Sequence, residues 1–300
     1  MNGKRHTAPV APVVAGGGAL TDTRRTLSVM ASRMVAIVLL ASVGAIPCSA
    51  DALPPGMFDP ASPLAGRVWE FENGGLRFRI PEGYLGPSSK AGKIEGNFRL
   101  EALWPGLEPR HAGNDAEFKA PGGGRKIAIE IDFFKDASRR ARFLNRLRGD
   151  AEYRAGWRKT PESFEEMTPA SDIYGLTRKV IDIEMLKKFI MANNPSRITN
   201  GEIDKFEISN WHDYYYKENE NGDVVVLIKC STDFSLDPDE SLLNGRNIVP
   251  VPYCDHYFKD DGYNLNARLI YRRKFLKDWR EIQDFTEAII SATATKNSDN

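Results

Sequence analysis

Apolar residues fall at every second position through KIAIEIDFF, residues 126–134, placing Ile127, Ile129, Ile131 and Phe133 on one side of an extended segment. LRFRI (76–80) alternates apolar and basic residues and stops at Pro81; NFRLEALW (97–104) is a second such run, closed by Pro105-Gly106. The second half reads as an antiparallel meander. DKFEIS and WHDYYYKE are strand-like, ENENGD carries the hairpin dipeptide Asn221-Gly222, and VVVLIKCSTDF (224–234) is apolar enough for a central strand. A proline-broken loop then leads to YCDHYF, which Asp261-Gly262 turns into YNLNARLIY. In that hairpin Cys254 and His256 share a face, and the facing strand offers Ala267, Leu269 and Tyr271.

Elsewhere the period lengthens. Asp136 is a helix N-cap candidate ahead of a stripe of Phe143, Leu144 and Leu147, with the helix reaching Arg148. A short helix is expected around 185–191, a strand around 174–181, and loop through most of 150–172. Phe275, Trp279, Ile282, Phe285 and Ile289 recur at spacings of three or four and predict a C-terminal amphipathic helix. Strands with a few peripheral helices, not alternating βαβ units, make the expected class α+β with mainly antiparallel sheet. A globular domain over 67–292 is expected. LRFRIPEGYL and ARLIYRRKFL echo each other, which raises two related halves, 67–200 and 201–292, before a frayed tail at 293–300.

The first 52 residues follow a different pattern. Arg24, Arg25 and Arg33 precede a compact apolar run at 35–46, and Ala50-Asp51-Ala52 supplies a small-residue cleavage site. That is the order of a secretory signal peptide, with an apolar stretch short of the ~20 residues a membrane helix needs. The start is Met1 or Met30, and cleavage is expected near Ala50 or Ala52. Pro47 before Cys48 is a poor lipobox, so soluble export is preferred over lipid attachment at Cys48. A proline-rich lead-in, 53–66, follows. The mature chain keeps Cys230 and Cys254, which can form a disulfide in an oxidising compartment.

Lys plus Arg equal Asp plus Glu, at 41 each, so the chain has no net field to hold nucleic acid or an anionic membrane. No G-x-S-x-G, CxxC or HExxH occurs, and GPSSKAGK fails as a phosphate loop because Ile94 stands where Ser or Thr must meet magnesium. The acidic run at 233–241 lacks the glycine of a calcium loop. Cys254 and His256 with His212 and Asp213 would make a thin zinc set, and packing is the preferred reading. No catalytic, cofactor or metal residue is therefore assigned. The alternative is an envelope hydrolase with an unfamiliar site near His212 and His256. Arginines 139, 140, 142 and 146 crowd one segment, and Trp211 and Tyr215 lie in an aromatic run; Arg139, Arg140, Arg142, Arg146, Trp211 and Tyr215 form the candidate interaction surface.

FRIPEGYL followed by LEALWPGLEP, and CDHYF followed by YNLNARLIYRRKFLKDWREIQDF, resemble the two halves of a loose set of exported proteobacterial proteins. Several of these resemble immunity or accessory factors encoded beside interbacterial toxins. The resemblance implies a periplasmic or secreted protein-binding protein that neutralises a bacterial toxin, with no family active site to carry over.

Overall fold

The computed structural model describes residues 67–86, 97–120, 123–133, 138, 143–149, 159–232, 243–244, 247–248 and 251–296. The signal-peptide, Cys48 and acidic-loop expectations lie outside them. Along the chain, β1 (Val68–Asn73) and β2 (Leu76–Pro81) form a hairpin. Then come β3 (Phe98–Leu103), a single turn of helix α1 (Asp115–Phe118), β4 (Lys126–Phe133) and α2 (Phe143–Arg148). The middle holds β5 (Thr168–Ile173), β6 (Leu176–Val180), α3 (Ile183–Asn193), the two-residue pair β7 (Ile198–Thr199) and β8 (Glu202–Ile203), and α4 (Lys205–Ile208). After β9 (His212–Glu218) and β10 (Val224–Ser231) come the short β11 (Leu243–Asn244) and β12 (Asn247–Ile248). The chain closes with β13 (Tyr253–Asp260), β14 (Leu265–Arg272), α5 (Trp279–Thr293) and β15 (Ala294–Lys296).

Eight strands make one sheet in the order β3-β4-β14-β13-β10-β9-β6-β5, every neighbour antiparallel. The expected α+β class with mainly antiparallel sheet is what the chain adopts. The β4–β14 pairing joins the two halves of the sequence, so their strands share this one sheet. A second, three-stranded sheet, β1-β2-β15, pairs the last described strand with the first hairpin.

The alternation of β4 puts Ile127, Ile129 and Ile131 into the main core with Leu265, Ala267 and Leu269 of β14 and Cys254 and Phe258 of β13. Trp279, Ile282, Phe285 and Ile289 of α5 and Phe78 and Ile80 of β2 close that face. Each such large apolar side chain contributes about 1.5–3 kcal/mol on burial, so the C-terminal stripe is sufficient reason for α5 to lie where it does. The opposite face is divided. Over β9 and β10 it is apolar, with Tyr214, Tyr216 and Leu227 beneath Leu144 of α2 and Leu186 and Ile190 of α3. Over β3, β4, β14 and β13 it carries charge. Asp182 caps α3 through its side chain, accepting from the backbone of Glu184 and Met185.

Two local expectations change. KFEI in DKFEIS is helix α4, one turn packed through Ile208 into the second core; four residues of mixed polarity set no reliable period. The stretch expected as loop contains β5, hidden by Pro169 and exposed polar residues, because an edge strand buries little.

Candidate functional site

His212 opens β9, and its ring Nδ1 lies 2.8 Å from Glu162 Oε1, which also accepts the His212 backbone N–H at 2.6 Å. Its chain neighbour Asp213 points to the other side of the sheet. There the buried Asp213 carboxylate accepts from the Ile181 backbone and sits 3.5 Å from Arg178 and 3.6 Å from Arg273. His256 is wholly buried in the main core, with Nε2 3.2 Å from Gln283 Oε1 and Nδ1 3.3 Å from the Tyr271 hydroxyl. The tautomer that fits has Nε2–H donating to Gln283 and Tyr271 donating to Nδ1. Burial pushes the His256 pKa down to about 3, against the Gln283 hydrogen bond. The two histidines thus face opposite sides of the sheet and do not converge. Among the described residues no group of three or more His, Cys, Asp or Glu is arranged to hold a metal ion.

Cys230 on β10 and Cys254 on β13 are direct partners in the ladder, Cα atoms 4.0 Å apart, and are joined as a disulfide. Of the candidate interaction surface, Arg146 is exposed on α2 and Trp211 is half-buried, its Nε1–H donating to Glu207 and its ring edge-on to Phe189. Arg139, Arg140 and Arg142 lie outside the described residues. Tyr215 is a correction: it is 2% exposed, and its hydroxyl accepts from Arg273 in the main core. In a run of three tyrosines on a strand, one face must receive the middle ring, and here that face is the closed one.

The charged half of the divided face is an ion-pair ladder that crosses four strands. Arg110 meets Glu101 at 2.8 Å, Glu101 meets Arg99 at 3.3 Å, and Arg99 meets Glu130 at 3.2 Å. Arg268 continues it, at 3.1 Å from Glu130 and 2.9 Å from Asp255. Burial raises the Asp255 pKa, opposed by the Arg268 charge and hydrogen bonds. Burial, with help from Asp255, likewise pushes Tyr257 up to about 12. Each charge of the ladder has an ionic partner among the described residues.

The hairpin turns give the other polar feature. Thr177 of β6 stands opposite Tyr216 of β9, so the β5–β6 turn and the β9–β10 turn leave the same end of the sheet side by side. The β5–β6 turn is Tyr174-Gly175, with φ of 54° and 73°. Tyr174 is 50% exposed, and its carbonyl accepts from Trp279 Nε1 at 2.9 Å. This turn was expected inside a strand; the glycine after an aromatic was the signal that could have located it.

No family model matches this chain, and no curated protein matches it either. Among solved structures, an immunity protein of the Stenotrophomonas maltophilia type IV secretion system is similar at 24% identity and a TM-score of 0.54. The match covers 76% of this chain and 94% of that one. The two share a fold.

Proposed function

We propose that this chain is an immunity-type protein that works outside the cytoplasm by binding and neutralising a protein toxin. The observation that carries this reading is the fold shared with a type IV secretion immunity protein across nearly the whole of that protein. The geometry of the described residues is compatible with it: His212 and His256 lie on opposite sides of the sheet, and the charges of the ladder pair with one another. The disulfide and the signal-like leader, with its small-residue site at Ala50-Asp51-Ala52, support a periplasmic location.

A competition assay tests the proposal. A strain lacking this gene is mixed with its parent as attacker, and in parallel with a parent whose type IV secretion machinery is inactivated. Survival of the deletion strain should fall only against the active attacker and recover when the exported wild-type chain is supplied. Equal survival against both attackers would end the immunity reading.

A further inference from the structure

Four non-glycine residues in the described chain have a left-handed backbone: Leu107, Tyr174, Asn200 and Asn264. Asparagine tolerates that region. Leu107, at φ 50°, is 2% exposed, so its side chain gives the main core what its backbone costs. Tyr174 has no such return. Its φ is 54°, half of it faces solvent, and Gly175 beside it already supplies the second positive φ of a two-residue hairpin turn. The residue that such a turn favours at this place is asparagine, not an aromatic. The turn is nevertheless held rigid. Ile173 packs on the main core, Leu176 is fully buried, and Trp279 Nε1–H fixes the Tyr174 carbonyl. A strained, exposed ring on a rigid mount is how a binding anchor is built: a tyrosine presents a large amphipathic surface and loses little freedom when captured.

We infer that Tyr174 is the anchor by which this protein engages its toxin, the ring entering a cleft on a basic patch of that partner. The inference rests on the immunity reading above. The sign of the partner follows from the charges carried by the two adjacent turns. These expose Asp172 and Glu220 against Lys217, while Glu218 is occupied by Arg148 and Asp223 accepts from Asn145; Arg280, over the Trp279 ring that holds the turn, is paired with Asp284. Opposite charge around an apolar anchor steers encounter and fixes orientation. Addition of a toxin strand to the sheet edge is disfavoured, because the neighbouring edge strand β5 is broken by Pro169 and by a register shift between Ala170 and Ile173.

The test supplies the deletion strain with wild-type, Tyr174→Asn, Tyr174→Trp or Asp172→Lys/Glu220→Lys chains, at abundances matched by immunoblot, and confronts it with the parent attacker. Purified chains are melted alongside. Tyr174→Asn should raise Tm by about 2–4 °C by relieving the turn, yet lose protection; a hot-spot loss corresponds to about thirtyfold in Kd. Tyr174→Trp should keep protection, and the charge reversal should weaken it without lowering Tm. Full protection by Tyr174→Asn overturns the anchor, and an unchanged charge-reversed chain overturns the basic partner. If the wild-type chain itself gives no protection, the immunity reading has failed, a result distinct from either of these.

Discussion

His256 shows how a polar residue can belong to a core. It is completely buried, yet both ring nitrogens have partners, so the neutral ring costs little. Protonation is what the site refuses, which is why burial lowers its pKa to about 3. The folded pKa lies below the ordinary histidine value of about 6.5, so the unfolded chain binds the extra proton first. His256 therefore contributes stability that is intact above about pH 6.5 and is lost as pH falls toward 3, by up to about 1.4 kcal/mol per unit. Urea unfolding between pH 7 and pH 4 should show this loss, and a His256→Met chain should show a shallower slope. An identical slope in both would assign the acid sensitivity to other groups. The sequence revealed half of this residue's setting: alternation placed His256 on the same face as Cys254, but the Gln283 partner comes from a helix 27 residues away, which no local pattern reports.

At the scale of elements, patterns with a strict period were legible and mixed ones were not. Ile127, Ile129 and Ile131 lie in the core as the two-residue alternation required, and the stripe of Trp279, Ile282, Phe285 and Ile289 became the buried side of α5. The strand facing Cys254 supplies Ala267, Leu269 and Tyr271 to the core as expected, and the register sets Cys254 opposite Tyr271 and His256 opposite Leu269. β5 and α4 escaped because each is short and half-exposed, so tertiary contacts and not local period decide their form. The cysteines link two of the best-defined elements. Cys230 and Cys254 fuse β10 to β13 at the centre of the sheet, closing a loop over a sequence separation of 24. In the chain-entropy account a cross-link of that size contributes about 3 kcal/mol. A Cys230→Ala/Cys254→Ala chain should therefore unfold at lower urea concentration by that amount, and wild-type chain under reductant should follow it. A double variant as stable as the oxidised protein would mean that packing alone holds this part of the sheet.

The whole molecule is organised by the difference between its two sheet faces. One is closed over its central strands by α5 and the three-stranded sheet; the other is closed over β9 and β10 and carries ion pairs over β3, β4, β14 and β13. Its outer edges are blunted, β3 by the bond from the Gly86 N–H to the Arg99 carbonyl and β5 by its proline and irregular register. None of this division was visible in the composition, because balanced charge does not say where charges meet; the pairing of β3 with β4 and β4 with β14 brings Arg99, Glu130 and Arg268 together from distant parts of the chain. Arg268 is the member on which the ladder turns, since it serves both Glu130 and Asp255. Replacing it with glutamine leaves Asp255, mostly buried, without its cation. Burial already raises the Asp255 pKa, and loss of Arg268, which lowers it, must raise it further. A carboxyl whose folded pKa exceeds its unfolded value contributes most to stability when protonated, and that contribution is lost as pH rises through the folded pKa. The Arg268→Gln chain should therefore be less stable than wild type at pH 7, by about 2–3 kcal/mol for a partly buried ion left unpaired. The deficit should shrink as pH falls and the carboxyl takes up its proton. Paired urea titrations at pH 7 and pH 4 measure it, and a deficit that is constant with pH would show that Arg268 acts through the packing of its side chain over Tyr257, 5.8 Å from the ring centroid, and not through its charge.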